Sequence, residues 1–74
     1  MVNQELIVFG LRLKQLRLEQ GLSQEQLGLL ADLDRTYISG IERGVRNISL
    51  LNILRLANAL NLPAIKLFEQ GGRS

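Results

Sequence analysis

The stretch Leu22–Gly44, LSQEQLGLLADLDRTYISGIERG, decides how the chain is read. Ser23 and Gln26 stand three residues apart ahead of an apolar run. That is the spacing of a capping box, in which hydroxyl and amide satisfy the first unpaired backbone groups of a helix reciprocally. The helix it opens is expected over 23–31. Asp32 follows, a residue type that tolerates left-handed backbone better than most. Asp34 is then placed to cap a second helix over 34–43, which Gly44 stops. Two short helices with so tight a joint form a helix-turn-helix. The second begins Asp34-Arg35-Thr36-Tyr37, hydrogen-bonding side chains where a helix that only packs needs none. A polar second helix suits a DNA major groove, which predicts a sequence-specific DNA-binding regulator.

Outward from this motif the same signals continue. Upstream, Leu6, Phe9, Leu13 and Leu16 recur at helical spacing over 5–20, and Gly21 supplies a left-handed stop. Downstream, Ser49 caps a helix over 49–60 and Pro63 opens a short fifth over 63–69. No segment alternates like a strand. The expected fold is all-α, one compact five-helix domain over 1–74. Its expected core is Leu6, Phe9, Leu13, Leu16, Leu27, Leu30, Ile38, Ile41, Leu50, Ile53, Leu56, Ala57, Leu60, Leu67 and Phe68. Leu51 and Leu54 are then left over on one face of the fourth helix, with Ile48 and Ile65 nearby. A contiguous apolar patch on so small a chain marks a partner surface. A symmetric dimer follows, placing two reading helices about 34 Å apart on a pseudo-palindromic site. Ile7, Leu11 and Leu18 are also surplus, with no role assigned.

Composition removes most other function classes. The 74 residues include no cysteine and no histidine, so a disulfide framework and the common zinc modules are excluded. There is no glycine-rich phosphate loop, and Asp32, Asp34 and Glu42 already have capping or pairing roles. No enzyme, metal or cofactor is expected. Arg12, Lys14 and Arg17 interrupt the only apolar stretch long enough to consider for a bilayer, and the Leu6–Gly10 patch is too short for a signal peptide. A cytoplasmic protein is expected. The net charge of +2 decides nothing about nucleic acid. Placement is more telling: seven of the nine basic residues are arginine, and Arg35, Arg43 and Arg46 gather around the second helix of the motif. Arginine's planar fork suits phosphate and guanine better than lysine's point charge.

Arg35 and Thr36 lie in the first turn of the reading helix and are assigned to base edges. An arginine on guanine O6 and N7 discriminates by about 1–3 kcal/mol. Tyr37, the only tyrosine, is read as a third base contact, with a roof over the small core as the alternative. Ser39, Arg43, Arg46 and Asn47 are phosphate candidates, which position a protein without specifying sequence. Gln24 begins a helix, where backbone N–H groups favour phosphate. RNA is the lesser expectation, because only Phe9, Tyr37 and Phe68 could offer stacking platforms.

The residues Leu16-Arg17, Gly21–Gln24, Leu27, Tyr37–Ser39, Ile41–Gly44 and Ser49-Leu50 resemble the lambda-repressor and Cro type of helix-turn-helix regulators, also called xenobiotic-response-element regulators. The likeness spans about residues 6–68. Asp34–Ser39 and Arg46-Asn47 are more specifically similar to the controller proteins of restriction–modification systems. The resemblance implies a third helix that reads the major groove, usually in a homodimer, and a phosphate clamp at Gln24. It further implies that Arg17 and Glu42 form a structural ion pair between the first and third helices. Gly40 stands at a position that family members often use for base contact, Gly28 where they usually carry alanine, and Asp32 where they carry a turn glycine. A controller would act at its own promoter, activating or repressing by its position relative to RNA polymerase. Antitoxins and small phage repressors share the pattern, and in the former a surface would hold a protein partner.

Overall fold

The computed structural model describes residues 3–69, so the ends of the expected 1–74 span lie outside the described residues. Its elements are α1 (Gln4–Glu19), α2 (Gln24–Ala31), α3 (Arg35–Glu42), α4 (Leu50–Ala59) and a 3₁₀ turn (Ala64–Phe68). Among the described residues there is no strand. The expected fifth α-helix is thus a 3₁₀ turn. Five residues opened by Pro63, with no side-chain cap, make too little helix for the i→i−4 pattern to establish itself.

Local chemistry accounts for each helix start. Ser23 Oγ accepts from the Gln26 backbone N–H at 3.0 Å, and the Ser23 N–H donates to Gln26 Oε1 at 2.8 Å. Ser49 Oγ accepts from the Asn52 N–H at 3.2 Å. α1 has a cap that the apolar spacing did not reveal: Asn3 Oδ1 accepts from the N–H groups of Glu5 and Leu6. In the joint between α2 and α3, Asp32 is left-handed at φ 59°. This sends the Leu33 N–H back to the Gly28 carbonyl at 2.8 Å.

α3 packs against both α1 and α2, while α4 closes over α2 and the 3₁₀ turn. Phe9, Leu13, Leu16, Leu27, Ala31, Ile38, Ile41, Leu56, Ala57, Leu60 and Leu67 form the buried core, with Ile53 half-buried against it. Three residues expected there are exposed: Leu30, Leu50 and Phe68. α2 is only eight residues long and spends its inward positions on Leu27, Gly28 and Ala31, which turns Leu30 out. Leu50 sits in the first turn of α4, ahead of its buried stripe of Leu56 and Ala57. Phe68 sets its ring tilted at 51° against that of Phe9, with centroids 5.6 Å apart, and remains largely exposed. None of the described helices is long and apolar enough to cross a membrane.

Two glycines set the helix spacings. A methyl group at Gly10 would collide with the Ile41 carbonyl and stand 2.8 Å from that of Glu42, so α1 meets the end of α3 backbone to backbone. At Gly28 a methyl would stand 2.5 Å from the Leu33 carbonyl, so this glycine admits the turn into α3 rather than the body of that helix. Gly10→Ala should therefore destabilise the protein, although alanine is the better helix former. The overpacking should cost about 2 kcal/mol and lower Tm by on the order of 10 °C. A thermal melt followed by circular dichroism checks this. An unchanged Tm would mean that α1 has room to withdraw.

Candidate nucleic-acid interface

The helix that carries the polar residues is held at its C-terminal end by a buried ion pair. Arg17, near the end of α1, donates from Nε to Glu42 Oε2 at 2.7 Å and from Nη2 to Glu42 Oε1 at 2.9 Å. Its remaining arm donates from Nη1 to the Leu22 carbonyl at 2.8 Å. The two side chains are only 8% and 3% exposed. Hydrogen bonding to Glu42 raises the Arg17 pKa above its ordinary value and outweighs the opposing effect of burial. Gln24 Nε2 donates to Glu42 Oε1 at 3.0 Å. The Gln24 side chain is therefore oriented by Glu42, at the N-terminus of α2.

α3 begins with Asp34 Oδ2 accepting from the Thr36 N–H at 2.8 Å. Hydrogen bonding from Thr36 holds the Asp34 carboxyl below its ordinary pKa, with the nearby Arg35 charge contributing less. Arg35 and Thr36 are exposed. Tyr37 is half-buried and has two partners. Asn52 of α4 donates from Nδ2 to its phenol oxygen at 3.1 Å, and the Arg46 guanidinium carbon stands 5.6 Å from its ring centroid. Ser39 is half-buried, whereas Arg43, Arg46 and Asn47 are exposed.

Gly40, at the position that family members often use for base contact, is covered by a neighbouring side chain. It is buried, and a methyl there would stand 2.5 Å from Arg46 Cγ. The Arg46 stem lies across the helix at this glycine and carries the guanidinium to Tyr37. Sequence reasoning also missed Asn52, whose role depends on how α4 packs and is signalled by nothing local. On the remaining apolar surface Leu51, Leu54 and Ile65 are exposed, and Ile48 is half-buried at the edge of the core. Leu51 and Leu54 lie about one turn apart on α4, against which the 3₁₀ turn with Ile65 packs.

Known proteins share this architecture. The helix-turn-helix family model matches residues 13–67. Over 70 residues the chain is 48% identical to the control protein C.BamHI of Bacillus amyloliquefaciens, covering 93% of this chain and 86% of that protein. The chain belongs to the helix-turn-helix family of restriction–modification controller proteins. Among solved controllers it is similar to C.AhdI from Aeromonas hydrophila, with a TM-score of 0.88 and 53% identity over 89% of this chain and 100% of that one. It is also similar to C.Esp1396I bound to a 19-base-pair DNA duplex, with a TM-score of 0.83 and 36% identity over 89% and 88%. C.Esp1396I is known as well as a tetramer on its natural 35-base-pair operator. Controllers are DNA-binding transcription regulators and not enzymes.

In this controller the brace at the end of α3 has a measurable consequence. Glu42→Leu leaves the Arg17 charge buried without its counterion, which should cost about 3–5 kcal/mol. A domain of this size has little more than that to lose. The double variant Arg17→Met/Glu42→Leu should recover most of the loss, because both charges go together. Urea denaturation of the two variants beside the parent measures this. A loss under about 1 kcal/mol in the single variant would show that water reaches and solvates the pair.

Proposed function

We propose that this controller is a homodimeric, sequence-specific regulator that binds a pseudo-palindromic operator in its own promoter. The whole chain works as one helix-turn-helix domain in the cytoplasm. Arg35, Thr36 and Tyr37 contact base edges, and Gln24, Ser39, Arg43, Arg46 and Asn47 hold phosphates. The observation that carries this reading is the first turn of α3: Arg35 and Thr36 are exposed there, on a helix whose other end is fixed by Arg17 and Glu42. The known complex of C.Esp1396I with duplex DNA supports it by similarity. Ile48, Leu51, Leu54 and Ile65 supply the dimer interface. The exposure of the last three is what an unpaired protomer of such a dimer presents.

Regulation follows from position. A dimer upstream of the polymerase site supports transcription, and a second dimer bound alongside at higher concentration excludes polymerase. One protein thus activates and then represses the same promoter, with RNA polymerase as its second partner.

Selection of bound duplexes from a random DNA library, at near-physiological salt, should enrich an inverted repeat. On that duplex Arg35→Ala should lose about 1–3 kcal/mol of discrimination at one base pair per half-site. Arg43→Ala should instead weaken every sequence alike and reduce the salt slope by about one. Equal losses by both variants on selected and random DNA would overturn the division between reading and clamping.

The dimer has its own test. Leu51→Lys should sediment as a folded monomer and bind a full operator no better than a half-site. A variant that remained dimeric would place the interface elsewhere.

A further inference from the structure

Arg46, Tyr37, Gly40 and Asn52 form one connected unit, drawn from α3, the loop after it and α4. Asn52 Nδ2 donates to the Tyr37 phenol oxygen at 3.1 Å. The face of the same ring lies 5.6 Å from the Arg46 guanidinium carbon. The Arg46 stem reaches this place by lying over Gly40, where any side chain would meet its Cγ. Asn52 is itself set in register by the α4 cap, since its backbone N–H donates to Ser49 Oγ. Arg46 is exposed, on a loop, with no carboxylate partner among the described ion pairs. An arginine so placed samples many rotamers unless something fixes it, and the Tyr37 ring is the contact that does so.

We propose that Asn52 is a positioning residue for DNA binding: by orienting Tyr37 it pre-arranges the Arg46 guanidinium before DNA arrives. Asn52 itself makes no contact with DNA. This inference rests on the reading of the protein as a DNA-binding controller and adds a residue outside the helix-turn-helix to its machinery. The amide's hydrogen bond fixes the phenol, and the ring face then offers the guanidinium one preferred seat. Gly40 keeps the route across α3 open. An arginine already seated loses less rotamer freedom on binding, so the gain appears as affinity without any added contact.

The test uses the full chain and the duplex that the library selection returns. In the DNA-free protein, nuclear magnetic resonance should show the Arg46 Hδ and Hε protons shifted upfield by the ring of the only tyrosine. Asn52→Leu should collapse that shift, whereas Asn52→Asp, whose carboxylate accepts from the Tyr37 hydroxyl, should retain it. Both variants keep the backbone cap to Ser49, and thermal melts verify their folding. On the selected duplex Asn52→Leu should weaken binding by about three- to tenfold, the scale expected when one flexible side chain loses its pre-arrangement. Asn52→Asp should stay closer to the parent. In an Arg46→Ala background Asn52→Leu should lose most of its effect, since the part that passes through Arg46 is gone and only the contact of Tyr37 itself remains.

An upfield shift that survives Asn52→Leu would overturn the proposal, because the stack would then stand without the amide. Equal affinity losses from Asn52→Leu in the parent and in the Arg46→Ala background would overturn it too, by showing a structural role only. If the parent protein enriches no duplex, the DNA-binding reading itself fails. That outcome is seen in the selection before any variant is made.

Discussion

The constraint on which the rest depends is the buried pair of Arg17 and Glu42. Glu42 is the last residue of α3, so its two carboxylate oxygens fix the end of that helix against α1 through paired hydrogen bonds. The third arm of Arg17 reaches the Leu22 carbonyl, in the loop that leads into α2. One guanidinium thereby ties together the end of α1, the start of the helix-turn-helix and the end of its second helix. Two buried charges gain little net stability over two well-packed apolar residues, because their desolvation offsets most of their attraction. What they add is geometry: a bidentate arginine–carboxylate pair accepts one orientation, and leucine against methionine accepts many. Gln24 then extends this geometry to the surface through its bond to the same carboxylate.

A helix of eight residues has no stability of its own in water. α3 is a helix because Asp34 caps it, because Ile38 and Ile41 are buried, and because α1 and α2 hold it from two sides. Gly10 and Gly28 let those neighbours come to backbone distance, one at the end of α3 and one at the turn before it. The outward face inherits its direction from these contacts. Arg35 and Thr36 are exposed on that face, with Thr36 also bonded to the Asp34 cap.

What is legible in the sequence follows the range of the interactions. The capping box at Ser23 and Gln26, the cap at Asp34 and the left-handed Asp32 are decided within a few residues, and the chain states them directly. Periodicity misplaces Leu30, Leu50 and Phe68 because it marks which residues are apolar, not how many a short helix can bury. The 3₁₀ turn escapes it for a related reason, since a proline start fits either helix type. In the candidate interface, Arg35 and Thr36 are visible from their place in α3. Gly40 beneath Arg46 and Asn52 beside Tyr37 are not. Each depends on where another segment crosses, and neither residue type announces such a partner.

α4 joins these two levels. Its first turns carry Asn52, bonded to Tyr37, between the exposed Leu51 and Leu54 of the proposed dimer face. A helix seen from its axis presents successive residues about 100° apart, so one short segment faces α3 on one side and leaves Leu51 and Leu54 exposed on another. Burying Leu51 and Leu54 against a second protomer would restrain the same turn that holds the phenol. In the proposed dimer this contact would also steady the helix that holds the Tyr37 phenol. In the proposed dimer, assembly and the seating of Tyr37 would thus share one structural element.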